Sequence, residues 1–281
     1  MIDIIVPVYN TPLPDLERCL NSILNQTYNN YKVYIIDDGS NTKTKDYLDS
    51  YIKDKNNFIV KHIKNNGVSN ARNIGINISN SKYITFIDSD DTLEKNFLSE
   101  SYTIIKDNNL DIIIGGYNEI KNNIITKTRL SEPGLYIYEK NNINNFLEKL
   151  LTSKTNENNK EIGDCPTGRI YTRLFKRDSI GDLRFNTNIH ISEDTLFMID
   201  YTNRVSRIGI INKVWYNYYI NDYSISNNTK KEKLINDINN FINEIEKRMN
   251  NESNINLKKA YQQRIDKSLK NIDKIKTIDK R

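Results

Sequence analysis

The chain has 281 residues, of which 37% are hydrophobic and 27% charged, and its formal net charge is +5. This length can bury a full core in one large domain or two small ones, and the composition is typical of a soluble globular protein. The two cysteines, Cys19 and Cys165, lie too far apart in sequence to form a disulfide framework or a metal site. The N-terminus does not resemble a signal peptide, and no apolar run approaches the roughly 18 residues of a membrane span, so we expect a cytoplasmic protein.

The first 115 residues alternate between strand and helix patterns. Apolar runs predict the strands, and residues at helical spacing such as Leu16, Leu20 and Leu24 predict the helices. This alternation implies an α/β fold with a mainly parallel sheet and helices on both faces. The predicted strands are 2–8, 31–36, 58–63, 83–87 and 111–116, and the predicted helices are 16–24, 44–52, 68–78 and 93–106.

The pattern changes after residue 116. Short alternating segments over 117–138 suggest a hairpin with Pro133-Gly134 as its turn. Helices are predicted at 144–151 and 195–203 and a polar loop at 152–160. A short strand at 208–211 precedes the aromatic cluster from Trp215 to Tyr219, whose rings either stack on a sugar or belong to the core.

The C-terminal tail predicts a helical hairpin that is broken near residues 250–254. One apolar stripe comprises Leu234, Ile238, Phe241, Ile242, Ile245 and Met249, and a second comprises Tyr261, Ile265, Leu269 and Ile272. We expect one stripe to pack on the body of the protein or on a second copy of the chain.

The basic excess of the chain lies wholly in this tail. Residues 230–281 contain 14 Lys and Arg against 8 Asp and Glu, which leaves a net charge of −1 for residues 1–229. A near-neutral body argues against nucleic acid as a partner. The Lys-rich face of the tail predicts contact with an anionic membrane surface or an acidic glycan. The alternative is a solvated hairpin that only forms a homodimer.

Three carboxylates stand directly after the predicted strand 83–87, in Asp88-Ser89-Asp90-Asp91. Like charges gathered in a cleft cost free energy unless a cation or a ligand compensates them. In an extended chain Asp88 and Asp90 point the same way, as one metal–diphosphate requires. The structural alternative is a solvated turn.

Other polar clusters stand near predicted strand and helix ends. Asp37-Asp38-Gly39-Ser40 follows the second strand, Arg72 lies among small residues in the run 66–75, and Glu193-Asp194 precedes a predicted helix. Ligands of open α/β sheets bind outside the carboxyl ends of the strands. Each cluster also has a structural alternative: an Asx turn, a surface salt bridge and a helix N-terminal acid pair, respectively.

Together these motifs resemble the family-2 glycosyltransferases of the GT-A fold, over about residues 2–226. The resemblance implies a GT-A catalytic domain at 1–226, with a nucleotide-sugar half at 1–115 and an acceptor half at 116–226. A C-terminal helical hairpin at 227–281 follows it. It further implies a bacterial, inverting transferase that uses a UDP-sugar donor with Mn or Mg. The acceptor would be a growing surface glycan or a lipid-linked saccharide, at the inner face of the cell membrane.

The resemblance also assigns roles to single residues. Asp194 would be the general base, with Glu193 its neighbour, and Asp38 would contact the uracil. The metal ligands would be Asp88 and Asp90, and the residues that contact the nucleotide sugar would be Pro7, Val8, Tyr9, Asp38, Asn66, Arg72 and Asp88. Tyr219 and Ser226 are second-rank candidates at the border of the site.

Two other functions remain open at this point. A catalytically inactive module that binds sugar nucleotides, or a scaffold, would keep the fold, although the intact Asp88, Asp90 and Asp194 speak against it. A sugar nucleotidyltransferase would normally begin with a glycine-rich loop that holds a triphosphate, whereas this chain has Pro7-Val8-Tyr9-Asn10.

Overall fold

A computed structural model describes residues 1–152, 168–221 and 230–277 of the protein. The strands are β1 Ile2–Val8, β2 Tyr31–Asp37, β3 Phe58–His62, β4 Tyr83–Phe86, β5 Thr92–Leu93, β6 Ile112–Lys121, β7 Ile124–Arg129, β8 Leu135–Glu139, β9 Arg173–Lys176 and β10 Arg207–Tyr219. The helices are α1 Leu13–Leu24, α2 Thr42–Ile52, α3 Val68–Ile78, α4 Phe97–Asp107, α5 Ile143–Thr152, α6 Arg177–Ile180, α7 Glu193–Thr202, α8 Lys231–Asn251 and α9 Ile255–Thr277. The predicted polar loop at 152–160 lies almost wholly outside the described residues, as do Cys165 and Ser226.

All the strands in the described residues belong to one mixed sheet of ten strands, in the order β3-β2-β1-β4-β9-β6-β10-β5, with β7 beside β6 and β8 beside β10. The strands β3, β2, β1 and β4 are parallel. In the register of β1, Val8 faces Asp37 of β2 and Ile5 faces Phe86 of β4. The carboxyl ends of these strands therefore meet at one edge, which is where the predicted polar clusters lie.

The residues of β1 alternate between two hydrophobic clusters, one on each face of the sheet. Ile4 and Val6 pack with residues of α1 on one face, whereas Ile5 packs on the other face with residues of α5 and α7. The predicted helices and strands of this first half are confirmed apart from the start of the helix predicted at 93–106, and α3 matches its predicted bounds.

One element of the first half was predicted wrongly. Leu93 does not start a helix, because Thr92–Leu93 form the short strand β5, paired antiparallel with Asn217 and Tyr216 of β10. This pairing satisfies the backbone after Asp91 and buries the Leu93 side chain, which is 5% exposed. The helix α4 begins only at Phe97.

The hairpin in the second half exists, but its turn was predicted at the wrong residues. β6 continues to Lys121, and the chain reverses at Asn122 and Asn123, which have φ of 52° and 61°. Two-residue hairpins need positive φ at both turn positions, which asparagine tolerates. The Pro133-Gly134 segment instead leads into β8, which pairs with β10.

The C-terminal hairpin of α8 and α9 packs on the body. Phe241, Ile245 and Tyr261 are buried in the same hydrophobic cluster as Phe197 of α7. The predicted stripe on α9 was wrong at Leu269, which is 46% exposed; its buried face runs through Ile265, Ser268 and Ile272. Within the described parts of the chain, no helix is long and apolar enough to cross a membrane.

Candidate active site

The end of β1 forms one wall of the candidate site. Pro7 and Val8 are buried in the strand, and the Val8 carbonyl accepts the backbone N–H of Asp38 at 2.8 Å. The Tyr9 side chain is 47% exposed at the mouth of the site. An exposed aromatic ring can stack on a planar base, and this role of Tyr9 stays a prediction.

The Asp38 carboxylate holds the loop before α3. It accepts the backbone N–H groups of Asn66 at 2.9 Å and Gly67 at 2.8 Å. Burial raises the pKa of Asp38, and these two hydrogen bonds oppose the rise. Asp38 is only 3% exposed, whereas Asn66 is exposed. If Asp38 also contacts the uracil, as predicted, it must use the same carboxylate oxygens that hold the loop at Asn66.

Beside this loop lies a contact that the sequence did not indicate. The His62 Nδ1 atom is 2.6 Å from the carboxylate of Asp37, and its Nε2 atom is 3.1 Å from that of Asp49. Burial lowers the pKa of His62, but the hydrogen bonds and charges of Asp37 and Asp49 outweigh burial and raise it. His62 thereby ties the end of β2 to α2.

The three carboxylates after β4 have different environments. Asp88 accepts a hydrogen bond from Arg72 at 2.9 Å, and Asp90 accepts one from the Asn221 amide at 3.2 Å. Asp91 is 1% exposed and accepts the Tyr216 hydroxyl at 2.6 Å and the Tyr219 backbone N–H at 2.8 Å. Asp91 thus anchors β10, and only Asp88 and Asp90 are available to a ligand.

These two carboxylates fit a metal ion only in company with a ligand. Burial and the charge of Asp88 raise the pKa of Asp90, because both disfavour its charged form. Among the residues that the structure describes, no group of three or more His, Cys, Asp or Glu side chains could hold a metal. Mg²⁺ is usually bound by one or two carboxylates plus substrate phosphates. Asp88 and Asp90 therefore fit a metal–diphosphate and do not form an independent metal cage.

Arg72 joins the two halves of the site. Its guanidinium donates to Asp88 at 2.9 Å and to Glu193 at 2.8 Å, a residue 121 positions later in the chain. The Arg72 side chain is 5% exposed. Burial lowers its pKa, but the charges of Asp88 and Glu193 outweigh burial and raise it. The surface salt bridge considered for Arg72 is thus replaced by a buried double ion pair.

The acid pair lies in the first turn of α7. Ser192 before it has the left-handed φ of 61°, a conformation that is strained for serine. Burial and the Asp194 carboxylate raise the pKa of Glu193, which Arg72 opposes. Asp194 accepts the backbone N–H of Thr195 at 2.8 Å. The Glu193 carboxylate is therefore paired with Arg72. Asp194 lies beside Glu193 at the N-terminus of α7.

The aromatic cluster divides between core and site. Trp215 is 1% exposed, and its indole N–H donates to Glu100 at 2.8 Å, so it belongs to the core. Tyr171 stacks on Tyr216 with ring centroids 4.4 Å apart. The Tyr219 ring lies under the guanidinium of Arg18 at 3.8 Å.

Arg18 was not predicted as a site residue. Its guanidinium donates to the Asp90 carbonyl at 2.6 Å, a contact across 72 residues. Arg18 follows Asp15 at the spacing of an ordinary helix ion pair, so no local signal could have identified it as a site residue.

Comparison with known proteins supports a single family. Residues 3–184 match the family model described as Glycosyl transferase family 2. The chain is 35% identical over 118 residues to the glycosyltransferase GlyG of Streptococcus pneumoniae, covering 42% of this chain and 39% of GlyG. It is 31% identical over 241 residues to the poly(ribitol-phosphate) beta-N-acetylglucosaminyltransferase TarP of Staphylococcus aureus, covering 83% of this chain and 66% of TarP.

A solved structure shares the fold. The crystal structure of S. aureus TarS 1-349 in complex with UDP-GlcNAc matches with a TM-score of 0.68 and 19% sequence identity, over 87% of this chain and 65% of that one. This likeness confirms the expected GT-A fold. The chain spans less than two thirds of the length of GlyG, TarP and this TarS chain.

Proposed function

The chain belongs to glycosyl transferase family 2, and on that premise we propose that it moves a sugar from a UDP-linked donor to a glycan or lipid-linked saccharide, with inversion. The observation that carries the proposal is the double ion pair of Arg72. Through one guanidinium it links Glu193, the neighbour of Asp194 in the chain, to Asp88. A donor-binding carboxylate and a candidate base thus face one space.

On the donor side, the uracil would pack against Pro7, Val8 and Tyr9, with Asp38 and Asn66 at its edge. TarS has been crystallised with UDP and with UDP-GlcNAc, which supports a uridine nucleotide here. Asp88 and Asp90 would hold Mn or Mg together with the diphosphate. When bound, the ion would neutralise charge on the leaving diphosphate.

On the acceptor side, Asp194 would act as the general base. The acceptor oxygen attacks the anomeric carbon while the bond from that carbon to the diphosphate oxygen breaks. The proton of the acceptor hydroxyl passes to the Asp194 carboxylate, and UDP leaves. Glu193 accepts a hydrogen bond from Arg72 at 2.8 Å. Of the two neighbouring carboxylates, Asp194 would therefore accept the proton.

The names of two relatives support the acceptor class that we propose. TarP is named for poly(ribitol-phosphate), and the relative GgaB of Bacillus subtilis is a minor teichoic acid biosynthesis protein. A surface polymer of the bacterial cell envelope is therefore the acceptor we propose.

The experiment that tests this function measures UDP release from several UDP-sugars, with Mn or Mg, in the presence and absence of surface-polymer acceptors. Asp194→Asn should keep donor binding and lose transfer by roughly 10²-fold or more, the scale of general-base loss. Asp182→Asn is the matched control, because Asp182 is an exposed carboxylate that pairs only with Arg204 among the described residues. Binding of UDP-sugars without any transfer by the parent would instead favour the inactive binding module. Pyrophosphate release from a triphosphate would favour the nucleotidyltransferase.

We also propose that α9 brings the protein to the inner face of the membrane. Its lysines at 258, 259, 270 and 274 are exposed, and each basic residue near an anionic surface contributes about 1 kcal/mol. Glu at these four positions should abolish flotation with anionic liposomes, whereas Glu at Lys43 and Lys61 of the body should not. Unchanged flotation of the first variant would leave the hairpin a purely structural or dimer-forming element.

A further inference from the structure

The carboxylates of Asp88 and Asp90 stand on one tight turn. The backbone N–H of Asp91 donates to the Asp88 carbonyl at 3.1 Å, which makes Asp90 the third residue of a β-turn. The Asp90 carbonyl takes no part in this hydrogen bond and must find its partner outside the turn. Whatever holds that carbonyl also fixes the peptide group from which the Asp90 side chain points.

Arg18 of α1 is the partner of this carbonyl. Its guanidinium donates to the Asp90 carbonyl at 2.6 Å, across 72 positions of sequence, and to the Asp15 carboxylate at 2.5 Å. The same guanidinium lies 3.8 Å from the ring centroid of Tyr219, and the Tyr219 backbone N–H donates to Asp91 at 2.8 Å. Arg18 is therefore joined to the turn by a direct hydrogen bond and, through Tyr219, by an indirect one.

An ordinary helix ion pair does not account for these contacts. An (i, i+3) pair with Asp15 requires only a positive charge, which lysine would also supply. A guanidinium has a planar fork of donors and a flat face, so it can donate in two directions while it stacks on a ring, whereas an ammonium cannot. The three contacts of Arg18 use these features together.

The effect of Arg18 should be local to Asp90. The hydroxyls of Thr11 and Ser89 are 2.6 Å apart, so the turn stays attached to the segment before α1 when Arg18 is removed. The Arg18 side chain is 30% exposed, and ion pairs open to solvent contribute little to stability. Loss of Arg18 should therefore free the Asp90 peptide group and leave the fold intact.

We propose that Arg18 is a positioning residue for Asp90, which it directs toward the metal–diphosphate by holding the Asp90 carbonyl. The inference rests on the proposed function and specifies its donor side. Removal of a residue that orients a metal ligand typically lowers metal affinity by roughly 10- to 100-fold. Arg18 acts here through the backbone of Asp90, so it does not need to touch the nucleotide.

Calorimetric titration of the full chain with UDP, once with Mn²⁺ and once with EDTA, tests this role. We expect Arg18→Met to weaken UDP binding in Mn²⁺ by roughly 10-fold or more and to leave the Kd in EDTA unchanged. Arg18→Lys should bind with an intermediate affinity. The melting temperature of Arg18→Met should fall by only about 2–4 °C.

Lys95→Met is the matched control. Lys95 is exposed and lines the same surface cavity as Arg18, but its side chain makes no hydrogen bond or ion pair with any residue in the described ranges. This variant removes the same charge from the same cavity and should bind UDP like the parent. An equal loss in Lys95→Met would assign the effect of Arg18 to its charge and overturn the inference.

A double-mutant cycle tests whether Arg18 acts through Asp90. In the Asp90→Asn background, Arg18→Met should cause no further loss of UDP affinity in Mn²⁺, because the ligand that it positions is already removed. A further loss of full size would show that Arg18 acts on the nucleotide by another route. An equal loss in Mn²⁺ and in EDTA would show a general disturbance of the donor side. Either result would overturn the inference.

A measurement on the free protein separates this inference from the proposed function. Hydrogen exchange of the segment 88–93, followed by mass spectrometry, should be faster in Arg18→Met than in the parent and unchanged in Lys95→Met. Unchanged exchange in Arg18→Met would overturn the inference whatever the nucleotide does. If the parent binds UDP equally in Mn²⁺ and in EDTA, the metal part of the proposed function fails. Faster exchange in Arg18→Met would then still support its hold on Asp90.

Discussion

The donor side and the acceptor side of the site are held in place by different kinds of contact. On the donor side, Asp38 and Asp88 follow β2 and β4 almost directly, and both strands pair with β1 in one parallel register. On the acceptor side, Asp194 depends on the placement of α7, which Arg72 and Arg248 hold through ion pairs to Glu193 and Asp200. Sheet register thus builds one side, and long-range ion pairs position the other.

Removal of the link between the two sides should have the largest effect. Arg72→Met leaves the carboxylates of Asp88 and Glu193 without their buried partner, and we expect the free energy of unfolding to fall by about 3–5 kcal/mol. Urea denaturation measures this change. A loss below about 1 kcal/mol would show that the two sides hold their positions independently.

The same variant has a control and a pH signature. Arg204→Met breaks an exposed pair with Asp182 and should cost less than about 1 kcal/mol.

Burial and Asp194 already raise the pKa of Glu193, and removal of Arg72 should raise it further. A carboxyl whose pKa is raised in the folded state lowers stability as pH climbs above its unfolded pKa. The loss of unfolding free energy caused by Arg72→Met should therefore be larger at pH 8 than at pH 5.

A substitution confined to the donor side should affect the nucleotide and not the fold. We expect Asp90→Asn to lose metal-dependent UDP binding, by roughly 10-fold or more, because one of two carboxylate ligands is removed. Stability should be kept, because burial and Asp88 disfavour the charged form of Asp90. Calorimetry with UDP and Mn measures the change, and Asp46→Asn on exposed α2 is the control. Undiminished binding would contradict the metal assignment.

A substitution on the acceptor side should lower turnover and leave nucleotide binding unchanged. Arg248 donates to both oxygens of Asp200, at 2.8 and 2.6 Å, and thereby ties α7 to the hairpin. These side chains are 20% and 32% exposed, so Arg248→Gln should cost only about 1 kcal/mol of stability. As a positioning residue for Asp194, Arg248 should lower kcat when replaced and leave the Kd of UDP unchanged. Lys247→Gln, on the same helix, is the control; a larger change in Kd than in kcat would refute this role.

The smallest expected effect is a pH dependence on the donor side. Because Asp37 and Asp49 outweigh burial and raise the pKa of His62, folding favours its protonated form. Its contribution to stability is full below the unfolded pKa of about 6.5 and is lost as pH rises through the raised folded value. The stability difference between the parent and His62→Gln should be largest near pH 5.5, below about 1 kcal/mol for this partly exposed group, and vanish by pH 9. A difference independent of pH would exclude the ion pairs as its cause.

The elements that could be predicted from the sequence are those whose signals are local. The helix α3 and the buried strands β1 and β4 follow from periodicity and apolar runs within a dozen residues, and Asp88 and Asp90 stand where such a strand must end. By contrast, the hydrogen bonds by which Asp91 anchors β10 and the pairing of Leu93 with Tyr216 depend on the complete fold. The same holds for the ion pair that joins Arg72 to Glu193. These contacts join residues up to 128 positions apart, and they depend on how the sheet and helices pack. Such contacts therefore cannot be predicted from a short window of sequence.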